Sequence, residues 1–382
     1  MNLLQLSFTI ILTSFLIKNP AEVNQKKNAV TVSDLKEWIS FLASDEMKGR
    51  KNGSPEMKNA ALWIAEKFSE YGLKPAGVNG ELIQSYSYTS RSGAIEERNV
   101  IGIIEGNDPA VKNEYLVLSA HFDHIGIRRG AKPDSICNGA DDNAAGTCAL
   151  IGIAKALSFS KEKPGRSIIF AAFSGEENGI RGSRYFVSNS PVPTEKMFIN
   201  MNFEMIGHSE FLGKNKYYMS GWSFSNLDNI IMEYNKKTDI QLIDTIPLAN
   251  QLFYASDNIA FSRISVKNGI TQGIPSGTFA TTALSGYLHS VNDEIELFDF
   301  ENMTILINYF SDLVIWLSNT DSEIKWTDPK FIRPEWFLKL LIKYDYGSSN
   351  TASPSSSICG NNSIPVAPGY RGICTLRTAS VL

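Results

Sequence analysis

Short, unbroken apolar runs separated by helical stripes are the feature that most restricts how this 382-residue chain can fold. The runs cover residues 99–104, 115–120, 167–173 and 197–203, and they are rich in β-branched or aromatic residues. A strand with one face in water would alternate apolar and polar residues, so unbroken runs predict strands that are buried on both faces. Such strands need helices on both sides of their sheet.

Amphipathic helices are predicted around and between these runs. Residues 57–68 place apolar side chains at helical spacing until Gly72 interrupts the pattern. A second stripe, from Leu150 to Leu157, lies between two of the strands, and a third, from Leu306 to Leu317, follows the last one. Because strands and helices alternate, the sequence predicts a three-layer α/β/α sandwich around a largely parallel mixed sheet.

The composition is that of an ordinary globular protein. The apolar fraction of 43% is enough for a substantial core, and the net charge is −4. That balance offers no basic field for a phosphate backbone, so nucleic acid is not an expected partner.

The first residues predict a targeting segment. Residues 2–17 are uncharged and strongly apolar, as in an export signal, although no Lys or Arg precedes them and no clean cleavage site follows. A membrane anchor is the alternative, but it needs roughly 20 residues. We expect a signal or anchor over residues 1–21, a main folded domain over 30–326 and a partly disordered extension over 327–382. The protein is then exported to the periplasm or the exterior, and it is membrane-bound only if the segment is uncleaved.

The four cysteines are Cys137, Cys148, Cys359 and Cys374, an even number that is compatible with disulfides in an exported protein. A bridge between Cys359 and Cys374 is one candidate. Cys137 and Cys148 flank an acidic loop, but they lack the Cys-x-x-Cys spacing of a zinc knuckle. We therefore expect all four to be structural.

Histidine and carboxylate residues gather at the ends of the predicted strands. His121 and Asp123 follow the second run, Glu176 and Glu177 the third, and Glu204 the fourth. Ligand sites of such sheets lie beyond the carboxyl ends of the strands, so these side chains are expected at one edge. The adjacent glutamates lie on a strand-to-helix turn and point in different directions, so one can bind a metal while the other accepts a proton.

Two further motifs complete a metal-binding pattern. Asp142 lies in the glycine-containing loop 139–143, and His289 lies in the segment 288–293. Nitrogen and oxygen ligands of this kind suit a borderline-hard divalent cation. Two such cations roughly 3.5 to 4 Å apart require a shared carboxylate, and Asp142, between the two histidines in sequence, is the candidate. The pattern predicts a two-metal hydrolytic site.

In this order the motifs resemble the co-catalytic zinc aminopeptidase family, which includes bacterial leucyl aminopeptidases, aminopeptidase S and the glutamate carboxypeptidase-like enzymes. The resemblance covers roughly residues 30–318 and rests on His-x-Asp, Gly-Ala-Asp-Asp-Asn, Glu-Glu-x-Gly-x-x-Gly-Ser, acidic-Met-Ile-Gly and His-x-x-x-Asp. It implies a zinc exopeptidase-like fold, two Zn²⁺ per chain and a peptide substrate.

Carried over residue by residue, the resemblance implies two ligand sets that share one carboxylate. The sets are His121, Asp142 and Glu204 for one zinc, and Asp142, Glu177 and His289 for the other. It also implies that Glu176 is the general base and that Asp123 orients the imidazole of His121, with Asp293 as a second candidate for the same role at His289. Glu204 stands where many members of the family carry Asp.

Three classes of function stay open from the sequence. The first is a dizinc exopeptidase, favoured as an aminopeptidase, with a carboxypeptidase of the same family as its alternative. The second is a glutaminyl-cyclase-like acyltransferase with one zinc, and the third is a metal-stabilised binding protein. The second ligand set and the placement of Glu176 beside Glu177 favour the first class. His124 and His208 are expected to be ordinary core or surface residues, and Asp141 to stabilise its loop. The oligomeric state is not predicted.

Overall fold

The computed structural model describes residues 30–327, and the stretches within that range that it does not describe are 91–92, 129, 131–132, 245, 247–248, 264–272 and 283–285. The predicted export segment and nearly all of the predicted C-terminal extension, with Cys359 and Cys374, lie outside the described residues. The division of the chain into these segments therefore stays a prediction.

Within the described residues, nine strands build a central sheet, and β5 and β6 pair separately as a short hairpin. In chain order the strands are β1 (Lys74–Pro75), β2 (Ile83–Ser90), β3 (Gly93–Ile104), β4 (Tyr115–His121), β5 (Gly126–Ile127), β6 (Ile136–Cys137), β7 (Ser167–Phe173), β8 (Met197–Phe203), β9 (Lys216–Met219), β10 (Gln241–Ile243) and β11 (Ser276–Ala280). The spatial order is β1-β3-β7-β4-β8-β11-β9-β10, and β2 pairs with β3.

The centre of the sheet is parallel and its flanks are mixed. Strands β7, β4, β8 and β11 run parallel, whereas β3 pairs antiparallel with β7, and β9 pairs antiparallel with β11. The register places His121 beside Phe173 and Ser119 beside Asn202. The carboxyl ends of β4, β7 and β8 therefore reach the same edge of the sheet, as the sequence predicts.

Eight α-helices surround the sheet in the described part of the chain. They are α1 (Val32–Leu42), α2 (Pro55–Glu70), α3 (Gly146–Phe159), α4 (Arg181–Ser188), α5 (Leu227–Asn235), α6 (Ala249–Leu252), α7 (Asn258–Ser262) and α8 (Phe300–Ser318). Helix α2 begins where the side chain of Ser54 accepts a hydrogen bond from the amide of Met57, with Pro55 in the first turn. Helix α8 begins in the same way at Asp299.

Alternate residues of the central strands pack into two separate cores. Leu116 and Leu118 of β4 belong to a large core with α1, α2, α3 and α8. Val117 points to the other face, where it packs in a smaller core with Phe186 of α4 and Phe261 of α7. Because each face of the sheet has its own helical layer, the predicted three-layer α/β/α fold is confirmed.

None of the described helices, α8 included, combines the length and apolar character that a bilayer span requires.

Glu97 in β3 is a buried carboxyl group that should make stability depend on pH. Its side chain is 2% exposed and accepts a hydrogen bond from the Gly53 amide at 2.6 Å. Burial raises the pKa of Glu97 from 4.5 to about 7, and the Gly53 hydrogen bond offsets this only in part. The folded state therefore holds the proton more tightly than the unfolded state, and this contribution to stability is lost as the pH rises from 4.5 to about 7.

We expect Glu97→Gln to remove that loss while keeping an oxygen for the Gly53 amide. In urea unfolding at about pH 5 and about pH 8, the wild-type protein should lose more stability than the variant over this interval. The neighbouring exposed residue provides the control, since Glu96→Gln should leave the pH dependence unchanged. If the free energy of unfolding changes with pH equally in wild type and Glu97→Gln, Glu97 has the same pKa in the folded and unfolded states.

Candidate metal centre

Strand ends and two loops deliver the predicted residues to one edge of the sheet. His121 is the last residue of β4, Glu176 and Glu177 lie in the turn after β7, and Glu204 follows β8. The Asp142 loop joins β6 to α3, and its Asp142–Asn143 peptide bond is cis.

The first ligand cluster contains His121, Asp142 and Glu204. His121 Nε2 lies 3.4 Å from Asp142 Oδ1 and 3.9 Å from Glu204 Oε1. The other ring nitrogen, Nδ1, lies 3.2 Å from the backbone oxygen of Asp123. A carbonyl oxygen can only accept, so Nδ1 carries a proton, and Nε2 is the nitrogen that faces the two carboxylates.

The second cluster is built on Asp142 and Glu177. His289 Nε2 lies 2.9 Å from Glu177 Oε1 and 3.3 Å from Asp142 Oδ2. His124, which the sequence places among ordinary core or surface residues, also reaches this cluster, with Nδ1 3.1 Å from Glu177 Oε1. The structure thus brings together all five predicted ligands and adds one histidine, while their roles as ligands stay a prediction.

The clusters have the chemistry of a divalent cation site. Four of their buried atoms lack a hydrogen-bond partner among the described residues: His121 Nε2, both ring nitrogens of His124 and Glu177 Oε1. Burial alone would lower the pKa of His121, but the nearby carboxylates of Asp123, Asp142 and Glu204 outweigh it and raise the pKa. Nitrogen and carboxylate donors that share a surplus of negative charge fit zinc.

The shared carboxylate is the most strongly perturbed acid of the set. Burial alone would raise the pKa of Asp142, but the nearby imidazoles of His121, His289 and His124 hold it well below its usual range. Asp142 presents Oδ1 to the first cluster and Oδ2 to the second. It is therefore ionised and placed between the two clusters, as a bridging ligand must be.

Asp123 holds the turn that carries the paired glutamates. Its Oδ1 accepts a hydrogen bond from the Glu176 amide at 3.1 Å, and its Oδ2 accepts one from the Glu177 amide at 3.2 Å. Asn52 Nδ2 donates to the same Oδ2 at 2.7 Å. The His121 ring lies farther from this carboxylate, at 3.6 Å, so the main contacts of Asp123 fix the turn backbone.

Asp293 does the same for the Asp142 loop, a role that the sequence did not reveal. Its Oδ1 accepts a hydrogen bond from the Asp141 amide at 2.8 Å and its Oδ2 one from the Asp142 amide at 3.0 Å. The side chain of Asp141 accepts a hydrogen bond from the Gly207 amide at 2.8 Å, which supports the loop from the other side. Two buried carboxylates, Asp123 and Asp293, therefore each clamp two successive amides of a ligand-bearing segment.

Glu176 stands beside the clusters without belonging to either of them. Burial raises the pKa of Glu176 against the opposing charge of His121, and the nearby carboxylates of Glu177, Glu204 and Asp257 add to the rise. A carboxylate with a raised pKa at the edge of such a centre is suited to accept and return a proton.

Cys137 and Cys148 are buried free thiols. Neither belongs to the two clusters, and burial raises the pKa of both thiols, Cys148 the more strongly. A thiolate ligand at this centre is therefore not supported.

A fully buried arginine connects the segments around the centre. The guanidinium of Arg50 donates to the backbone oxygens of Phe122, Asn138 and Gly139 at 2.7 to 2.8 Å, and also to that of Leu42. It thereby ties the segment after β4 to the start of the Asp142 loop. Nothing in the sequence marked Arg50, since its partners are backbone atoms that the fold brings together.

We expect Arg50→Met to destabilise the protein by about 3 kcal/mol, because buried carbonyl groups lose their donor. It should also weaken zinc binding, since both ligand-bearing segments lose their link. Arg166→Met is the matched control: Arg166 is also buried and donates to the Thr320 oxygen, but it precedes β7 at the opposite edge of the sheet. Urea unfolding and zinc titration of both variants separate the effects. Equal zinc affinities would assign Arg50 to stability alone.

The chain was compared with known families and curated proteins. The sequence profile described as peptidase family M28 matches residues 99–314, more than half of the chain. Leucine aminopeptidase 1 of Trichophyton rubrum is 25% identical over 260 residues, which make up 64% of this chain and 64% of that protein. A glutamate carboxypeptidase 2 homolog of Caenorhabditis elegans is 29% identical over 171 residues, or 43% of this chain and 20% of that protein. The chain thus covers less than two thirds of the length of either relative.

Solved structures share the fold. The Legionella pneumophila LapA aminopeptidase superposes with a TM-score of 0.58 at 18% identity, covering 83% of this chain and 78% of that one. A zinc aminopeptidase from Bacillus subtilis superposes with a TM-score of 0.55 at 16% identity, covering 78% of this chain and 98% of that one. At these identities the likeness bears on the fold alone.

Proposed function

The chain belongs to peptidase family M28, and from that membership we propose that it is a dizinc aminopeptidase that removes N-terminal residues from peptides. The observation that carries the proposal is the convergence of two histidine and carboxylate clusters on Asp142, with Glu176 beside them. The family membership supports a metal-dependent peptidase, and the geometry supports the two-metal form.

Two ligand sets would hold the ions. His121, Asp142 and Glu204 fit one zinc, and Asp142, Glu177 and His289 fit the other. When bound, the two ions lower the pKa of water and polarise the scissile carbonyl group.

The residues of the chain supply the proton transfers. Glu176 is placed to take a proton from the attacking water and to return it to the leaving amine. Asp123 positions Glu176 through the amide hydrogen bonds of the turn, so the base and the neighbouring ligand Glu177 keep a fixed separation. Ser256 donates to Glu204 Oε2, which leaves Oε1 directed at His121.

The charge of the centre favours a substrate with a free amine over one that is recognised by its carboxylate. Eight carboxyl groups surround it: Asp123, Asp141, Asp142, Glu176, Glu177, Glu204, Asp257 and Asp293. Among the described residues, the ion-pair contacts of Asp142, Glu177 and Glu204 are all with imidazoles, and the donors of Arg50 are directed at backbone oxygens. An N-terminal ammonium group fits this field better than a C-terminal carboxylate.

We also propose that the protein is exported, on the strength of the apolar residues 2–17. N-terminal sequencing of the protein recovered from each cell fraction tests this. Cleavage near residue 21 supports a signal, and an intact N-terminus in the membrane fraction supports an anchor.

The reaction is tested by mass spectrometry of products from a mixed peptide library, in free and N-acetylated forms, with and without a chelator. The proposal expects sequential loss of N-terminal residues from free peptides only, and no loss with the chelator. C-terminal trimming would make the protein a carboxypeptidase of the same family. Loss of ammonia from N-terminal Gln without cleavage would instead make it a cyclase, and no reaction at all would contradict catalysis of either kind.

A further inference from the structure

His124 is a buried histidine whose ring faces the second ligand cluster. Its side chain is fully buried, and both ring nitrogens lack a hydrogen-bond partner among the residues that the structure describes. Nδ1 lies 3.1 Å from Glu177 Oε1 and 3.7 Å from Asp142 Oδ2. Buried polar atoms almost always have partners, so an unsatisfied imidazole nitrogen that faces two carboxylates marks the position of a ligand.

His289 reaches the same two oxygen atoms. Its Nε2 lies 2.9 Å from Glu177 Oε1 and 3.3 Å from Asp142 Oδ2, and the centroids of the two imidazole rings are 5.6 Å apart. Atoms bound to a tetrahedral zinc at 2.0 to 2.1 Å lie about 3.4 Å from one another. The nitrogen–oxygen separations at this cluster, 2.9 to 3.7 Å, span that value. One ion can therefore contact both imidazoles and both carboxylates.

We propose that His124 is a ligand of the second metal site, which then has four protein ligands: His124, His289, Asp142 and Glu177. The inference deepens the proposed function and rests on its assignment of zinc to this centre. The ligand set carried over from the zinc aminopeptidase family has one histidine at each ion, so His124 is an addition to that set. The two ions are then held unequally, because the first site has a single imidazole.

The structure fixes His124 more firmly than His289. The His124 amide donates to the Arg50 oxygen at 3.3 Å, and a β-carbon on Gly139 would lie 2.5 Å from His124 Cγ, so the glycine leaves space for the ring. The side chain of His289 is 36% exposed, and its backbone has a positive φ of 55°. We therefore expect His124 to contribute more than His289 to retention of the ion.

Zinc titration against a competing chelator tests the inference without any need for catalysis. The variants are His124→Ala, His289→Ala, the double variant and His208→Ala. The last is the matched control, since His208 is a buried histidine outside both clusters. His124→Ala should weaken the binding of one of the two ions by at least about 100-fold, because losing even an outer-shell partner typically costs about 10- to 100-fold in metal affinity. His289→Ala should reduce the affinity for the same ion by a smaller factor, and the double variant should no longer bind that ion.

X-ray absorption at the zinc edge gives a second readout. The wild-type protein should show three imidazoles over two ions, and His124→Ala should show two. Thermal unfolding in excess chelator controls for folding, because wild type and His124→Ala should then melt alike and differ only when zinc is added. A variant that melts lower even without zinc is replaced by His124→Asn, which fills more of the same cavity.

The outcomes separate this inference from the proposed function. Two ions bound by His124→Ala with wild-type affinity, together with two imidazoles in the wild-type spectrum, would overturn the inference and leave the aminopeptidase proposal standing. If His124→Ala binds the second ion more weakly, but the wild-type protein cleaves no peptide, the result would support the inference and contradict the proposed function. A wild-type protein that binds no zinc would overturn both.

Discussion

Glu176→Gln is expected to lower kcat by about 100- to 10,000-fold, the range that general acid–base catalysis contributes. Gln keeps the size of the side chain and the backbone amide that donates to Asp123, but it cannot take a proton from water. Steady-state hydrolysis of a free peptide measures the loss. The zinc content of the purified variant should remain that of wild type, because Glu176 lies outside both ligand clusters.

The control for this variant is Glu195→Gln. Glu195 is exposed and precedes β8, at the opposite edge of the sheet from the centre, so its kcat should match wild type. A rise in KM with kcat unchanged would indicate that Glu176 acts in binding rather than in proton transfer. Unchanged activity in Glu176→Gln would remove Glu176 from the mechanism and leave the metal centre to be explained differently.

The elements that the sequence predicted best are those that the core determines. The apolar runs at residues 167–173 and 197–203 coincide with β7 and β8, because strands covered on both faces must be apolar throughout. Strand β2 was not predicted, since it pairs with a single neighbour and alternates in burial. Helix α8 begins at Phe300, before the predicted stripe, because the cap at Asp299 fixes its start.

The family resemblance is confirmed by the match to peptidase family M28, and the five predicted ligands do meet at one edge of the sheet. They could be predicted because each lies at a strand end or in a loop with a recognisable motif. The contacts of Arg50 and Asp293 could not, because both act on backbone groups distant in sequence. His124 was missed for a related reason: one residue beyond a His-x-Asp motif, it has no periodicity of its own, and only the fold aims its ring at Glu177.

Asp142→Asn is expected to lower the binding affinity of both ions, and no other single ligand substitution should affect both. Asp142 offers Oδ1 to the cluster of His121 and Oδ2 to that of His289, so loss of its charge removes the shared bridge. Each ion should bind about 100-fold more weakly or worse. Activity should fall below that of Glu176→Gln, which keeps its metals.

The comparison variant for Asp142→Asn is Glu204→Gln. The side chain of Glu204 faces only the first cluster, so this variant should lower the affinity of a single ion. Measured by chelator competition, the two variants should differ in the number of ions affected, whatever the absolute affinities. Asn preserves the volume of the buried side chain and the loop amide that donates to Asp293, so the loop itself should persist. If Asp142→Asn keeps one ion at wild-type affinity, the carboxylate is not shared and the two clusters are independent sites. If it loses both while Glu204→Gln loses one, the centre is a single bridged unit, because only a common ligand couples the occupancy of two ions in this way.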